Sequence, residues 1–221
     1  MANTVAITGA NRGIGLELAR QWHARGERVI PVCREASSGL RDLGVSIVDG
    51  IDITTDEGPR ALAEALAGEP VGILYNNAGI LIDENLDNMN WDTMRRQFEV
   101  NSLGPLRVTH ALLPNMGDGG KVGLMTSRMG SIADNDSGGR YGYRMSKAAL
   151  NAAGKSLSVD LAPRGIAVAI LHPGFVQTGM TGGRGHITPA EAAERLIQRM
   201  DDLSLANTGT FWHSDGSVLP W

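Results

Sequence analysis

Residues 4–15 read TVAITGANRGIG. Thr4 to Thr8 have the apolar, β-branched make-up of a strand, and Gly9, Gly13 and Gly15 lead from it into helical periodicity running from Ile14 to Ala24. A strand, a glycine turn and a helix in that order suit the pyrophosphate of a dinucleotide. The missing side chains permit a tight turn and close backbone approach, while the helix start offers free N–H groups and its positive dipole end. Asn11, Arg12 and Ile14 join the three glycines as candidate cofactor contacts. An ATP-type phosphate loop is excluded, because no Gly-Lys-Ser/Thr follows the glycines. Taken alone, the glycines also fit a βα turn that binds nothing, so the rest of the chain has to decide.

Working outward, strand-like runs alternate with helical stretches: RVIPVC (28–33), VSIV (45–48), a helix from Pro59 to Ala67, and VGILY (71–75). A helical stretch from Trp91 to Met116, the strand KVGLMT (121–126), a helix from Gly142 to Leu161, the strand IAVAIL (166–171) and a helix from Pro189 to Met200 follow. Gly26 ends the first helix, Pro163 and Gly165 end the long one, and Pro189 opens the last. Parallel strands need crossover connections, so this rhythm predicts an α/β protein. The expected architecture is a single Rossmann-type, doubly wound, mostly parallel sheet with helices on both faces. No repeat, heptad array or Pro/Ser-rich linker divides the chain, so residues 1–221 read as one domain. Gly179 to Gly185 read as a mobile loop.

Composition narrows the function. Hydrophobic residues make up 42% and charged residues 20%, and a net charge of −4 leaves no basic footprint for nucleic acid. Cys33 is the only cysteine, which suits a reducing compartment. The opening MANTVAITGANRG has no basic leader or long apolar segment, and no run is long enough to span a membrane, so a cytoplasmic protein is expected. Asp134, Asn135 and Asp136 lack the spacing of a calcium loop, and none of the five histidines, His172 included, forms a zinc-type pair, so no metal is expected.

Two further features point to chemistry. In dinucleotide folds the residue after the second strand meets either a ribose hydroxyl, favouring an acid, or a ribose phosphate, favouring an arginine. Here it is Arg34, and Arg12 can close on the same phosphate from the glycine turn, so NADP(H) is preferred and NAD(H) is the weaker candidate. Tyr143 and Lys147 lie four apart on a helix and share a face. A cation ~4 Å from a phenol is worth about 4 kcal/mol at an effective dielectric of 20, or roughly three pKa units. On that basis Lys147 brings Tyr143 toward ~7, where a group both gives and takes protons efficiently. Each residue alone has an ordinary reading as packing, a solvated charge or a cap. Together with the glycine turn they make a catalytic set.

With TGANRGIG, NNAG at Asn76 to Gly79, Asn101, Ser127 and YRMSK at Tyr143 to Lys147, the sequence resembles the short-chain dehydrogenase/reductase family over nearly its whole length. SRMGSIADNDSGGRYGYRMSKAALN and the ending GTFWHSDGSVLPW further resemble its C-factor and sniffer-like carbonyl reductase branch. The resemblance implies adenine contacts at Asp52 and Ile53, and an adenosine ribose beside Asn77, Ala78 and Gly79. It implies that Pro173, Val176 and Thr178, in HPGFVQT, hold the nicotinamide carboxamide. Lys147 is expected on the nicotinamide ribose, Ser127 on the substrate oxygen, and Asn101 on a water that reprotonates the relay. Ser131 competes for the serine role; Ser127 is preferred because SRMG matches the family's pattern. The implied reaction is reversible, NADPH-dependent reduction of a small aldehyde or ketone to an alcohol. The alternative is a cofactor-binding regulatory or signalling protein on the same fold. Helices around Asn101 to Met116 and Gly142 to Leu161 are expected to pair in a homodimer or homotetramer. The short glycine-rich run between Thr178 and Pro189 implies an open substrate pocket.

Overall fold

The computed structural model describes residues 4–221. Met1–Asn3, on which the leaderless reading of the N-terminus partly rests, lie outside the described residues. Six strands form one all-parallel sheet: β1 (Thr4–Thr8), β2 (Arg28–Val32), β3 (Ile73–Asn76), β4 (Lys121–Met125), β5 (Ala167–His172) and β6 (Phe211–His213). Their spatial order is β2-β1-β3-β4-β5-β6. These strands are near-continuous apolar runs because both faces are covered. Helices α1 (Gly13–Ala24) and α7 (Pro189–Asp201) bury Leu18, Trp22, Leu196 and Met200 on one face. On the other, α3 (Glu57–Ala65), α5 (Gly104–Leu112) and α6 (Tyr141–Leu161) bury Leu62, Val108, Leu112 and Leu150. Two shorter helices, α2 (Ser38–Arg41) and α4 (Trp91–Phe98), complete the set, and α4 packs on α6.

The chain first steps outward from β1 to β2, then returns to place β3 on the other side of β1. Such a reversal opens a crevice beyond the carboxyl ends of the strands, the usual ligand position in this architecture.

Three elements depart from the sequence reading. VSIV is not a strand. Cys33 N–H donates to the Val48 carbonyl at 3.1 Å and Val48 N–H to the Pro31 carbonyl at 2.9 Å, forming a single isolated bridge; Gly50 and Ile51 N–H then donate to the Arg34 and Cys33 carbonyls without extending a ladder. Pro31 has no N–H to continue the ladder on the outer side of β2, and the run is bounded by Gly44 and Gly50 at φ 66° and 76°. The helix expected from Trp91 to Met116 is interrupted by a π-helical turn at Glu99–Leu103. Pro105 has no N–H to bond the carbonyl of Asn101, so the regular ladder cannot run through. β6 was not anticipated, because three residues are too few to show a period; it forms by pairing with Ile170–His172. The Gly179–Gly185 run is a hydrogen-bonded turn, tied down by a capping box between Thr178 and Thr181.

Candidate active site

The glycine turn is shaped by its neighbours. Gly9 adopts φ 66°, and a Cβ there would lie 2.8 Å from the Cα of Ala78. A Cβ on Gly15 would meet Asn77 Nδ2 at 2.5 Å. These two glycines therefore let β1 and the exit of β3 come together. Asn77 Nδ2 donates to the carbonyls of Thr8 and Gly9 at 3.0 and 3.2 Å, and the Thr8 hydroxyl accepts from the N–H groups of Asn77 and Ala78 at 3.1 Å each. Arg12 takes the cap position of α1, and no side chain caps that helix start. Its first N–H groups are thus open to an anion.

A cleft of about 860 Å³ crosses the strand ends, a size suited to a bound small molecule or cofactor. Gly9, Asn11, Arg12, Gly13, Ile14 and Gly15 line it over β1. Arg34, Asp52 and Ile53 line it on the β2 side, and Asn77, Ala78 and Gly79 line it above β3. Tyr143, Lys147, Pro173 and Thr178 close it on the β4–β5 side. Val176 is not on its wall: the side chain is buried, and the carbonyl accepts from the Thr181 hydroxyl at 2.8 Å. Arg12 and Arg34 are exposed, and among the described residues neither guanidinium makes a hydrogen bond or ion pair. Asp52 sits below the usual carboxylate range because the N–H and hydroxyl of Thr54 donate to it at 2.9 and 2.7 Å, with Arg34 and Arg96 adding positive charge. Arg96 on α4 lines the same cleft, as do Cys33 and Met180. Sequence reading passed over all three: a lone arginine, thiol or methionine carries no spacing signal.

The side chains at and behind the β4–β5 side of the cleft are buried. Tyr143, Lys147 and Ser127 are 6%, 3% and 7% exposed, and Asn101 is fully buried. The Tyr143 phenol and the Ser127 side chain lie within hydrogen-bonding reach of each other. Ser127 also accepts from Met129 N–H at 3.1 Å, at the head of a 3₁₀ turn. Ser131 is committed elsewhere, its hydroxyl accepting from Asp134 N–H at 3.1 Å. Lys147 Nζ donates to the Met125 carbonyl at 2.8 Å and stands 5.8 Å from the centre of the Tyr143 ring. Gly79 separates it from Asn101: a Cβ there would lie 3.3 Å from Asn101 Oδ1 and 3.6 Å from Lys147 Nζ. The Asn101 amide is engaged with Ile80 and Ser146.

Electrostatics here differ from the sequence argument. Burial pushes the Tyr143 phenol up from its ordinary value, opposed by the Ser127 hydrogen bond and the charge of Arg140. Burial also brings Lys147 down to about 7. Lys147 therefore does not pull Tyr143 to neutrality by itself; its ammonium is desolvated and turned toward a carbonyl, and the low-dielectric surroundings favour the neutral form of both groups. Near the same strand ends, His172 is brought down to about 3, first by burial and then by His213, whose ring stands edge-on at 5.0 Å. Asp134 pairs with Arg128. Among the described residues no group of three or more His, Cys, Asp or Glu is placed to hold a metal ion.

A doubly wound parallel sheet, a glycine turn at an open helix start, and buried Tyr143 and Lys147 on one cleft with Ser127 beside the phenol define a dinucleotide-type oxidoreductase architecture. The chain belongs to the short chain dehydrogenase family, which it matches over residues 3–186. It is 41% identical to the 1-hydroxy-2-glutathionyl-2-methyl-3-butene dehydrogenase of Rhodococcus sp. (strain AD45), over 99% of this chain and 100% of that protein. It is 42% identical to the C-signal of Myxococcus xanthus, over 73% of this chain and 99% of that protein. The crystal structure of an NADPH-bound carbonyl reductase from chicken fatty liver superposes with a TM-score of 0.91 at 29% identity, covering 100% of this chain and 99% of that one. The protein is an oxidoreductase of this family.

Proposed function

We propose that the protein is an NADPH-dependent reductase that converts a small aldehyde or ketone reversibly to its alcohol. The observation that carries this reading is the buried Tyr143 and Lys147 on the cleft wall, with Ser127 within hydrogen-bonding reach of the phenol, and Arg12 and Arg34 exposed on the same cleft without ion pairs among the described residues. The cleft fits a dinucleotide phosphate: the open start of α1 takes the pyrophosphate, and Arg34 and Arg12 take the ribose phosphate. Asp52 and Ile53 flank the adenine, and Asn77, Ala78 and Gly79 the adenosine ribose. Lys147 holds the nicotinamide ribose, and the segment containing Pro173, Val176 and Thr178 holds the carboxamide. When bound, the reduced cofactor supplies the hydride.

Tyr143 gives its proton to the developing alkoxide, and Ser127 donates a hydrogen bond to the same oxygen. The raised pKa of Tyr143 keeps the phenol protonated at neutral pH, the form that reduction needs. Lys147, at about 7, can trade a proton near neutrality, and in its charged form it stabilises the phenolate that the reverse reaction requires. Asn101 fixes the wall behind Lys147 and holds the water that returns protons to the relay.

The test is steady-state NADPH oxidation with a panel of aldehydes, ketones and diketones, using the wild-type chain and a folded Tyr143→Phe variant. A loss of roughly 10³-fold in the variant is expected. NADPH binding without turnover of any carbonyl overturns the reading in favour of a cofactor-binding regulatory protein.

We also propose a homodimer or homotetramer in the cytoplasm. Support comes from Trp91 and Phe98 on or beside α4 and Met145 and Val159 on α6, large apolar residues 63%, 38%, 58% and 62% exposed on packed neighbouring helices. Sedimentation equilibrium showing only a 23.4 kDa species would overturn the assembly.

A further inference from the structure

Beyond the Asn77-Ala78-Gly79 exit, the chain passes over the site through Ile80, Ile82 and Glu84, and three side chains spaced four apart along α4 and its π turn hold those alternate residues. Asn101 Oδ1 accepts from Ile80 N–H, and its Nδ2 donates to the Ile80 carbonyl, both at 2.8 Å. Gln97 Oε1 accepts from Ile82 N–H at 2.9 Å. Glu84 Oε1 accepts from the Thr93 hydroxyl at 2.9 Å and from Gln97 Nε2 at 2.6 Å. Residues four apart share a helix face, so one edge of α4 clips the whole run.

Glu84 reaches one element further. Its Oε2 accepts from Gly142 N–H at 3.2 Å, and its carbonyl accepts from Arg140 N–H at 2.7 Å. Gly142 is the second residue of α6 and the neighbour of Tyr143. Arg140, just before the helix, holds a left-handed φ of 51°, uncommon without glycine, and its Nε donates to Asp83 Oδ1 at 2.5 Å. On the other side of Tyr143, its carbonyl accepts from the Ser146 hydroxyl at 2.8 Å, and that hydroxyl accepts from Asn101 Nδ2 at 3.0 Å. The backbone of the tyrosine is thus held on both sides. A Cβ on Gly142 would come within 2.6 Å of Gln97 Nε2 and 3.0 Å of Glu84 Oε1, so the side chains press directly on the α6 backbone.

We propose that Glu84 is a positioning residue for Tyr143: its buried carboxylate fixes the first turn of α6 against α4, and with it the phenol against Ser127. Glu84 is 3% exposed and accepts three hydrogen bonds from its surroundings. A carboxylate can accept all three, whereas an amide must point a donor at one of those donors. It does not line the cleft, and its carboxylate oxygens are taken up by Thr93, Gln97 and Gly142 rather than by the phenol, so it acts through the α6 backbone. The kinetic part of this inference rests on the proposed reductase activity; the structural part does not.

Two substitutions separate reach from charge. Glu84→Asp keeps the charge and withdraws the acceptors by one methylene, while Glu84→Gln keeps the reach and loses one acceptor. Both are expected to lower kcat roughly 10- to 100-fold while leaving the Kd for NADPH within about twofold, since a small misplacement of a reacting group acts on the chemical step. In both, the aromatic NMR resonances of Tyr143, assigned with Tyr143→Phe, are expected to move while those of the distant buried Tyr75 stay. The NMR reading needs no turnover, so it decides the proposal even if the wild-type chain reduces no carbonyl. If either folded variant melts at a lower temperature but keeps wild-type kcat and unmoved Tyr143 resonances, Glu84 is a structural residue only and the proposal is overturned.

Discussion

At the rim of the cleft, Arg12 from the glycine turn, Arg34 after β2 and Arg96 on α4 stand exposed without an ion pair among the described residues; toward β4 and α6, Ser127, Tyr143, Lys147 and Asn101 are buried. The first group keeps the field of its charges available to an incoming anion and needs no special surroundings to do so. The second gives up solvent, and the loss moves its proton affinities: the phenol rises and the ammonium falls to about 7. On the proposed reading, one side of the cleft binds charge and the other handles protons. Mutations on the two sides should therefore differ in kind as well as in size.

The sharpest contrast lies within the buried side. Ser127→Ala is expected to reduce kcat/KM about 100-fold, the scale of losing one donor to a developing oxyanion. Ser131→Ala, four residues away, should leave turnover within about twofold, because it is Ser127 and not Ser131 that meets the Tyr143 phenol. Equal losses in kinetic assays of the two variants would erase the distinction drawn between them.

Across to the exposed side, Arg34→Asp should lower the NADPH-over-NADH preference in kcat/KM by roughly 10- to 100-fold, the worth of a charge-assisted contact replaced by repulsion. The effect should shrink as salt is added, since the group is exposed. An unchanged ratio in the same assay would show that the phosphate is read elsewhere, with Arg12 and Arg96 the next residues to test.

The smallest expected effect concerns stability. The unfolded chain binds a proton at Lys147 up to its ordinary value of 10.5, while the folded chain releases it at about 7. Between those values the unfolded state holds more protons, so folding stability rises with pH across that window and the contribution is lost as pH falls through it. Lys147→Met should flatten that rise in chemical denaturation curves and stabilise the fold at neutral pH by about 1–3 kcal/mol. A slope unchanged from wild type would mean that water reaches Lys147 in solution.

Much of this was legible in the chain. The glycine turn, the arginine after β2 and the Tyr143–Lys147 spacing are local signals, each within one turn or helix, and the fold places all of them on one cleft. VSIV misled because its outcome depends on Pro31 in another strand, which lacks the donor a ladder needs. β6 was invisible because its three residues become a strand only by pairing with Ile170–His172. Glu84, Gln97 and Thr93 read as ordinary polar residues of a loop and an amphipathic helix, and nothing in their spacing shows that they converge on Gly142.

Local patterns were enough for the alternation of strands and helices, the glycine turn and the pairing of Tyr143 with Lys147 on one helix face, because periodicity, glycine and i,i+4 spacing act over a few residues. How strongly the pair is desolvated, which serine meets the phenol and what braces the first turn of α6 emerge from the folded chain alone. Those properties depend on contacts between groups 16 to 58 residues apart, such as Ser127 with Tyr143, Met125 with Lys147 and Glu84 with Gly142, brought together by the packing of α6 on α4 and the strand ends. Desolvation and hydrogen-bond geometry arise from that packing, and no local pattern encodes them.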